Sequence, residues 1–215
     1  MDISKEKLTR IRNPLKKEAK LQQIITIGTK LFIRDGDQMS MRELAQEVGL
    51  VVSGLYRYIQ NKRELWFACN NQEFAKFSDD FAQIEAQHNG EDTIILMKFG
   101  EYFLKLPQDN YPLFKFMFLS TSPSSAKEKG PFELQHVGTG FTNLNDVVTR
   151  LVKTGQTTEK NALYLALSTW GFVLGPSIIT SPLFTHFFEG FPVEKFDPDE
   201  YRAFVLQLIQ KIYRT

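Results

Sequence analysis

Apolar residues return every three or four positions along most of this chain, and strand-like alternation is not sustained anywhere. Asn13-Pro14 offers a cap and a first-turn proline. From there Leu21, Ile24, Ile25, Gly28, Leu31 and Phe32 draw one apolar stripe that ends at Asp35-Gly36. Ser40-Met41-Arg42-Glu43 reads as a capping box, with the Ser hydroxyl accepting from the Glu43 N–H and the Glu side chain reaching back. The helix it opens, MRELAQEV, stops at Gly49. A third, short helix carries SGLYRYI, from about Val51 to Tyr58, and a fourth runs from Lys62 to about Ala86, before His88-Asn89-Gly90. Further helices are predicted near 92–106, 111–120, 132–153, 159–180 and 198–213, with Pro107 and the Ser/Pro/Lys/Gly stretch 120–131 as separators. Asp197, Pro198 and Glu200 make the start signal of the last one. The predicted fold class is all-α.

Composition divides this helical string in two. Residues 1–65 hold 13 Lys/Arg against 8 Asp/Glu, whereas residues 66–215 hold 13 against 17. Of 19 Phe, only Phe32 precedes residue 66. Two independent asymmetries at one boundary predict a basic domain, 1–65, and an acidic, Phe-rich domain, 66–215. The formal net charge of +1 excludes a wholly basic nucleic-acid coat protein. The single cysteine, Cys69, excludes an intrachain disulfide framework and multi-Cys metal sites. The first twenty residues lack an apolar signal core, so the expected location is cytoplasmic. Between Asn161 and Thr185 no residue is charged, but Ser, Thr, Gly, Asn and Pro interrupt the run and no basic cluster flanks it. The expectation is a helix buried all round, in the core or at a subunit interface, and not a membrane span.

Residues 40–58 carry the candidate chemistry. A capped short helix, a turn at Gly49 and a second short helix describe a helix-turn-helix, with Ala45 small enough for close helix approach. The second helix would lie in the major groove, whose width admits an α-helix. An ordinary αα-corner in a helical core uses the same Ala and Gly.

Phe32-x3-Gly36, Ser40-Met41-Arg42-Glu43-Leu44-Ala45-x3-Gly49, Leu55-Tyr56-x-Tyr58 and Asn61-Lys62-x2-Leu65 together resemble the TetR family of bacterial and archaeal regulators. The match spans roughly residues 20–66. The chain departs from the family pattern at Asp37, in a loop one residue short, and at Val51, where a Ser usually opens the recognition helix. The resemblance implies an N-terminal three-helix DNA-binding domain, a C-terminal helical domain for ligand binding and dimerisation, and a homodimer on a palindromic double-stranded operator. It also implies a contact from Arg42, at the start of the first short helix, to a base or phosphate. Side-chain chemistry sorts the other positions. Arg57 is the best base reader, since a guanidinium bonds bidentately to guanine O6 and N7. Ser53 and Gly54 are small enough for close backbone approach. Ser40, Tyr56, Tyr58 and Lys62 suit phosphate contacts, with core packing as the alternative for Tyr56. Leu44, Val48, Leu55 and Leu65 are expected in the core. Lys5, Lys7, Arg10, Arg12, Lys16, Lys17 and Lys20 form a basic arm that can follow the phosphate backbone.

The Phe-rich half places Phe99, Tyr102 and Phe103 on one helical face and Phe114, Met117 and Phe118 on another, with Phe141 and Trp170 on later helices. Most such rings serve as core. The family resemblance is what makes a pocket among them expected, for a small apolar or aromatic effector. Gln135, His136, Asn143, Asn145 and Thr169 are polar groups available to orient it. Enzyme chemistry has little support. His88, His136 and His186 are dispersed, Cys69 lacks an adjacent His or basic partner, and a glycine-rich phosphate loop is absent from the sequence. No cofactor or metal is called for. The expected function is a ligand-responsive transcriptional regulator, a repressor released from its operator by the effector. The alternatives are a DNA-organising helical protein without an effector or, as the least supported, a helical enzyme.

Overall fold

The structure, a computed structural model, describes residues 13–135, 139–184 and 196–213. Its described residues contain no strand, and the all-α expectation holds. They divide into two compact units. One comprises the described residues up to Glu73 together with the segment from Ser120. The other comprises Phe74–Leu119 and the described residues from 139 on. The 65/66 boundary read from composition thus falls inside a helix. A segment assigned by sequence to the C-terminal half joins the N-terminal unit.

In the first unit, α1 (Asn13–Asp35), α2 (Met41–Glu47), α3 (Val52–Leu55) and the beginning of α4 (Lys62–Gln87) enclose a core. Ile24, Ile25, Leu31 and Phe32 of α1 are buried, as are Leu44, Ala45 and Val48 around α2, Leu55 of α3, and Leu65, Ala68 and Cys69 of α4. Gly28 sits in the α1 stripe because α4 leaves no room: a Cβ there would lie 3.1 Å from Cys69 Sγ and 3.2 Å from a Leu65 methyl. Gly36 and Gly49 adopt positive φ, 55° and 68°, as helix-stop residues. At Gly49 the Leu50 N–H reaches back to the Ala45 carbonyl at 2.8 Å, the six-to-one bond of a Schellman ending.

The capping box forms by half. The Ser40 hydroxyl accepts from the Glu43 N–H, but the Glu43 carboxylate pairs with Arg34 at 2.8 Å and does not return to the cap. A cation within reach is a stronger partner than a neutral amide. α3 is also shorter than the predicted Val51–Tyr58: regular α-helix ends at Leu55. The chain then tightens through Arg57 N–H to Gly54 O and Tyr58 N–H to Leu55 O bonds.

In the second unit, α5 (Asp92–Asp109), α8 (Thr139–Lys153), α9 (Ala162–Ile179) and α10 (Pro198–Ile212) pack on one another. Between α5 and α8 the chain forms α6 (Tyr111–Phe114), a π-helical turn (Lys115–Leu119) and α7 (Pro131–Leu134), of which α7 belongs to the first unit. The single helix predicted over 132–153 is therefore α7 and α8. Pro107 does not end its helix; α5 continues to Asp109. A proline in a helix leaves the carbonyl four residues earlier without its partner. That carbonyl, Phe103 O, lies 3.5 Å from the Ser177 hydroxyl, which donates to it. Asp197 caps α10 by accepting from the Asp199 and Glu200 N–H groups.

The uncharged helix is not buried all round within one chain. α9 is long and apolar enough to cross a membrane by length and composition, and a third of it is buried. Leu163, Tyr164, Leu167 and Phe172 of α9 are exposed, as is Phe204 of α10.

Cys69 is fully buried, its Sγ donating to the Ile25 carbonyl at 3.4 Å, and burial pushes its pKa up to about 12. The native thiol should therefore resist a thiol-specific reagent at pH 7.5 and react only on unfolding. Because the folded pKa is raised, this contribution to stability is complete below the unfolded thiol range, near pH 9, and is lost as pH rises toward 12. Thiol titration with and without denaturant, and melts between pH 7 and 11, measure both effects.

Candidate functional site

The first unit builds a face on α2 and α3 whose underside is fixed by packing. Leu44, Ala45, Leu55 and Ile59 are buried, and on the opposite side Arg42, Ser53, Tyr56 and Arg57 are exposed. Ser40 is exposed beside Arg42, while Gly54, Tyr58 and Lys62 are half-buried. Arg42 and Arg57 form no ion pair among the described residues. Tyr56, which sequence left between phosphate contact and core, is 46% exposed and belongs to the face. Val51 is more exposed still, at 71%, and adds an apolar edge at the start of α3. A side chain of this kind can meet a thymine methyl.

Two of the basic candidates are engaged inside the unit. Lys62 Nζ donates to the Asp37 carbonyl, and Lys20 Nζ donates to the Val48 carbonyl at 3.0 Å, closing the C-terminus of α2. Lys16 and Lys17 are exposed on α1. Lys5, Lys7, Arg10 and Arg12 of the arm lie outside the described residues, as do His136 and His186.

Sequence reasoning missed the segment Ser120–Leu134. It is a strap held on the N-terminal end of α4. Asn61 caps α4 by accepting from the Glu64 N–H at 2.9 Å. Arg63 donates to the carbonyls of Ser125, Lys127 and Glu128 at 2.9, 2.7 and 3.1 Å, and its Nε lies 3.1 Å from a Glu133 carboxylate oxygen. Glu64 is 2% exposed; one carboxylate oxygen accepts from the Phe132 N–H at 2.9 Å, and the other lies against Gly130. Asn71 donates to the Phe132 carbonyl at 2.9 Å. The strap ends beside the face: Lys127 Nζ donates to the Gln60 carbonyl at 2.9 Å and stands 6.0 Å from the centre of the Tyr56 ring. No local pattern announces the strap, since Arg63 and Glu133 are seventy positions apart.

The second unit contains an apolar cavity of about 20 Å³ lined by Phe81, Leu96, Phe99, Phe103, Trp170 and Val173 among others. That is room for about one water, against roughly 300–1,000 Å³ for a small-molecule site. Of the expected pocket residues, Phe99, Phe103 and Trp170 line it. Phe114 and Phe118 pack edge-on against Phe103 and tilted against each other, and Phe118 also meets Trp170 at 5.8 Å. Met117 is buried and Phe141 half-buried. Tyr102 does not line the cavity; its hydroxyl donates to Asp80, and burial followed by that carboxylate raises its pKa. Of the polar candidates, Thr169 reaches the cavity and bonds the Tyr213 hydroxyl at 2.6 Å, whereas Asn143 is engaged with Ser78.

No family model matches the chain. It is 29% identical over 93 residues to an HTH-type transcriptional regulator of Staphylococcus aureus strain bovine RF122 / ET3-1, covering 43% of this chain and 50% of that protein. It is 28% identical over 102 residues to another from strain USA300, covering 46% and 55%. The chain thus spans about half the length of the curated relatives it matches. Among solved structures, a protein of unknown function from Rhodococcus sp. RHA1 aligns with TM-score 0.70 at 13% identity, over 91% of this chain and 96% of that one. AibR in complex with isovaleryl coenzyme A and operator DNA aligns with TM-score 0.59 at 16% identity, over 90% and 100%. FadR from Bacillus subtilis in complex with stearoyl-CoA aligns with TM-score 0.62 at 15% identity, over 87% and 96%. At these identities the structural likeness establishes the fold.

A Cβ on Gly130 would overlap the Glu64 carboxylate. Gly130→Ala should therefore push the strap from its seat and lower the stability of the first unit by about 1–3 kcal/mol, as overpacking does. Urea unfolding followed by the emission of Trp66, which is buried in this unit, measures the loss.

Proposed function

We propose that this chain is a ligand-responsive, DNA-binding transcriptional regulator of the TetR type, acting as a homodimeric repressor on a palindromic operator in the cytoplasm. The observation that carries the reading is the α2–α3 face. Its buried side is fixed by Leu44, Ala45, Leu55 and Ile59, and its outer side presents Arg42, Ser53, Tyr56 and Arg57 to solvent. The relatives it matches are named as regulators and not as enzymes, and their match supports the same reading. In it, Arg57 reads a guanine and Ser40, Tyr56, Tyr58 and Lys62 serve the phosphates. Duplex selection from a random pool should return a pseudo-palindrome with half-sites about one helical turn, or a multiple of it, apart. Arg57→Ala should cost about 1–3 kcal/mol on the selected duplex and lose discrimination at one position per half-site. Equal affinity of the two proteins for that duplex would remove Arg57 from the readout.

The exposed apolar side chains of α9 and α10 support the dimer. Leu163, Tyr164, Leu167, Phe172 and Phe204 form too large an apolar surface to leave in water, and a two-fold axis would cover it with its own copy. Sedimentation at micromolar concentration should give twice the chain mass, with an interface above about 2,000 Å². Phe204→Asp should shift the protein toward monomer.

The effector in this reading is apolar, and its tail takes the place of rings around the cavity. A pocket of about 20 Å³ must open to admit it, so binding and rearrangement are one event. Neighbours of the same fold are described with isovaleryl coenzyme A and stearoyl-CoA, which makes acyl-coenzyme A thioesters the first ligands to try. The chain has two Trp, and Trp66→Phe leaves Trp170 as the sole reporter at the cavity. An effector should change Trp170 emission and lower operator affinity at the same concentration. A ligand that binds without altering that emission belongs to a different site.

A further inference from the structure

The strap has no part in the helix-turn-helix, yet it brings a cation to its edge. Lys127 is exposed, and its ammonium is fixed on two sides, by the bond to the Gln60 carbonyl and by the face of the Tyr56 ring. An ammonium has three donors, and one is used here. Lys129 is also exposed, and with Glu128 between them the tip keeps a net positive charge. The neighbouring surface already holds Tyr56 and Arg57. The strap's position does not depend on its own flexible side chains alone. Three backbone carbonyls accept from Arg63, the Phe132 N–H donates to the buried Glu64, and Gly130 has no side chain so that it can lie against that carboxylate. A non-helical segment of eleven residues, 120–130, is ordinarily a mobile connection, costly to order. Here two charged side chains of α4 hold it, Arg63 through three carbonyls and Glu64 through the Phe132 N–H.

We propose that the strap is a separate DNA-contacting element, in which Lys127 binds a backbone phosphate next to the one served by Tyr56. The proposal rests on the DNA-binding reading above and extends it to a residue outside the helix-turn-helix. It gives Arg63 and Glu64 the role of positioning residues that place the cation without touching DNA.

The test is equilibrium binding of the full-length protein to a fluorescein-labelled random-sequence 30-base-pair duplex and to the selected operator, across a series of salt concentrations. The slope of log affinity against log salt counts neutralised phosphates at about 0.9 per contact on duplex DNA. Lys127→Ala should flatten that slope by about 2 per dimer and weaken both duplexes by a similar factor, whereas Lys127→Arg should keep the wild-type slope. The melting temperature of Lys127→Ala should stay that of wild type, because the side chain is exposed. A Lys127→Ala protein with the wild-type slope overturns the proposal, and so does one that loses affinity with the slope unchanged, since that marks a structural role. If the wild-type protein itself shows no salt-dependent duplex binding, the DNA-binding reading fails and this proposal with it. Wild-type binding with an unaltered Lys127→Ala slope fails this proposal alone.

Discussion

The second and third residues of α4 carry charges that the fold keeps largely out of water, and desolvated charge is costly unless it is matched. Arg63 and Glu64 are adjacent in sequence, yet they do not satisfy one another. Arg63 turns to three backbone carbonyls and Glu133, and Glu64 turns to the Phe132 N–H. Both sets of partners come from one segment, Ser120–Leu134. Removing that segment would leave a buried carboxylate and a guanidinium in the first unit without their bonds. The bonds these two side chains make to the segment tie it to the first unit. They also explain why Gly130 carries no side chain and why Lys127 ends up beside Tyr56.

Most of what local sequence controls was legible. The Ser40 cap, the turns at Gly36 and Gly49, and the Asp197 cap rest on neighbours within five residues, and each formed where the sequence placed it. What was hidden depends on partners distant in the chain. Glu43 looked committed to its own cap because Arg34 lies nine residues away on another helix. Pro107 looked like a terminator because Ser177, which serves the released carbonyl, is seventy residues further on. The exposed face of the candidate site was read position by position from chemistry, and Tyr56 needed the structure to place it outside the core. Lys62 has a second claim on its ammonium, the Asp37 carbonyl, that no local pattern announces.

The aromatic half shows a different limit. Periodicity put Phe99, Tyr102 and Phe103 on one helical face and Phe114, Met117 and Phe118 on another, but it could not say whether rings would line a space or fill it. They nearly fill it. Phe81 and Phe99 stack at 4.0 Å, and Phe77, Phe103 and Phe118 meet edge-on, arrangements that rings favour for their own sake. The filled cluster is bordered by a π-helical turn, Lys115–Leu119, where the chain already deviates from regular α-helical bonding.

The strap makes the first unit discontinuous along the chain, and this bears on the order in which the protein folds. During synthesis α1 to α3 and the first turns of α4 leave the ribosome well before residue 120 exists. Until then Glu64 and Arg63 are solvated, and the helix-turn-helix rests on its apolar core alone. The unit closes only after about sixty further residues have been made, a long loop whose closure is slow relative to local helix formation. Nascent chains halted near residue 90 should therefore hold a looser version of the first unit than the finished protein does. The last step of its folding is delivered by sequence that composition assigns to the other half.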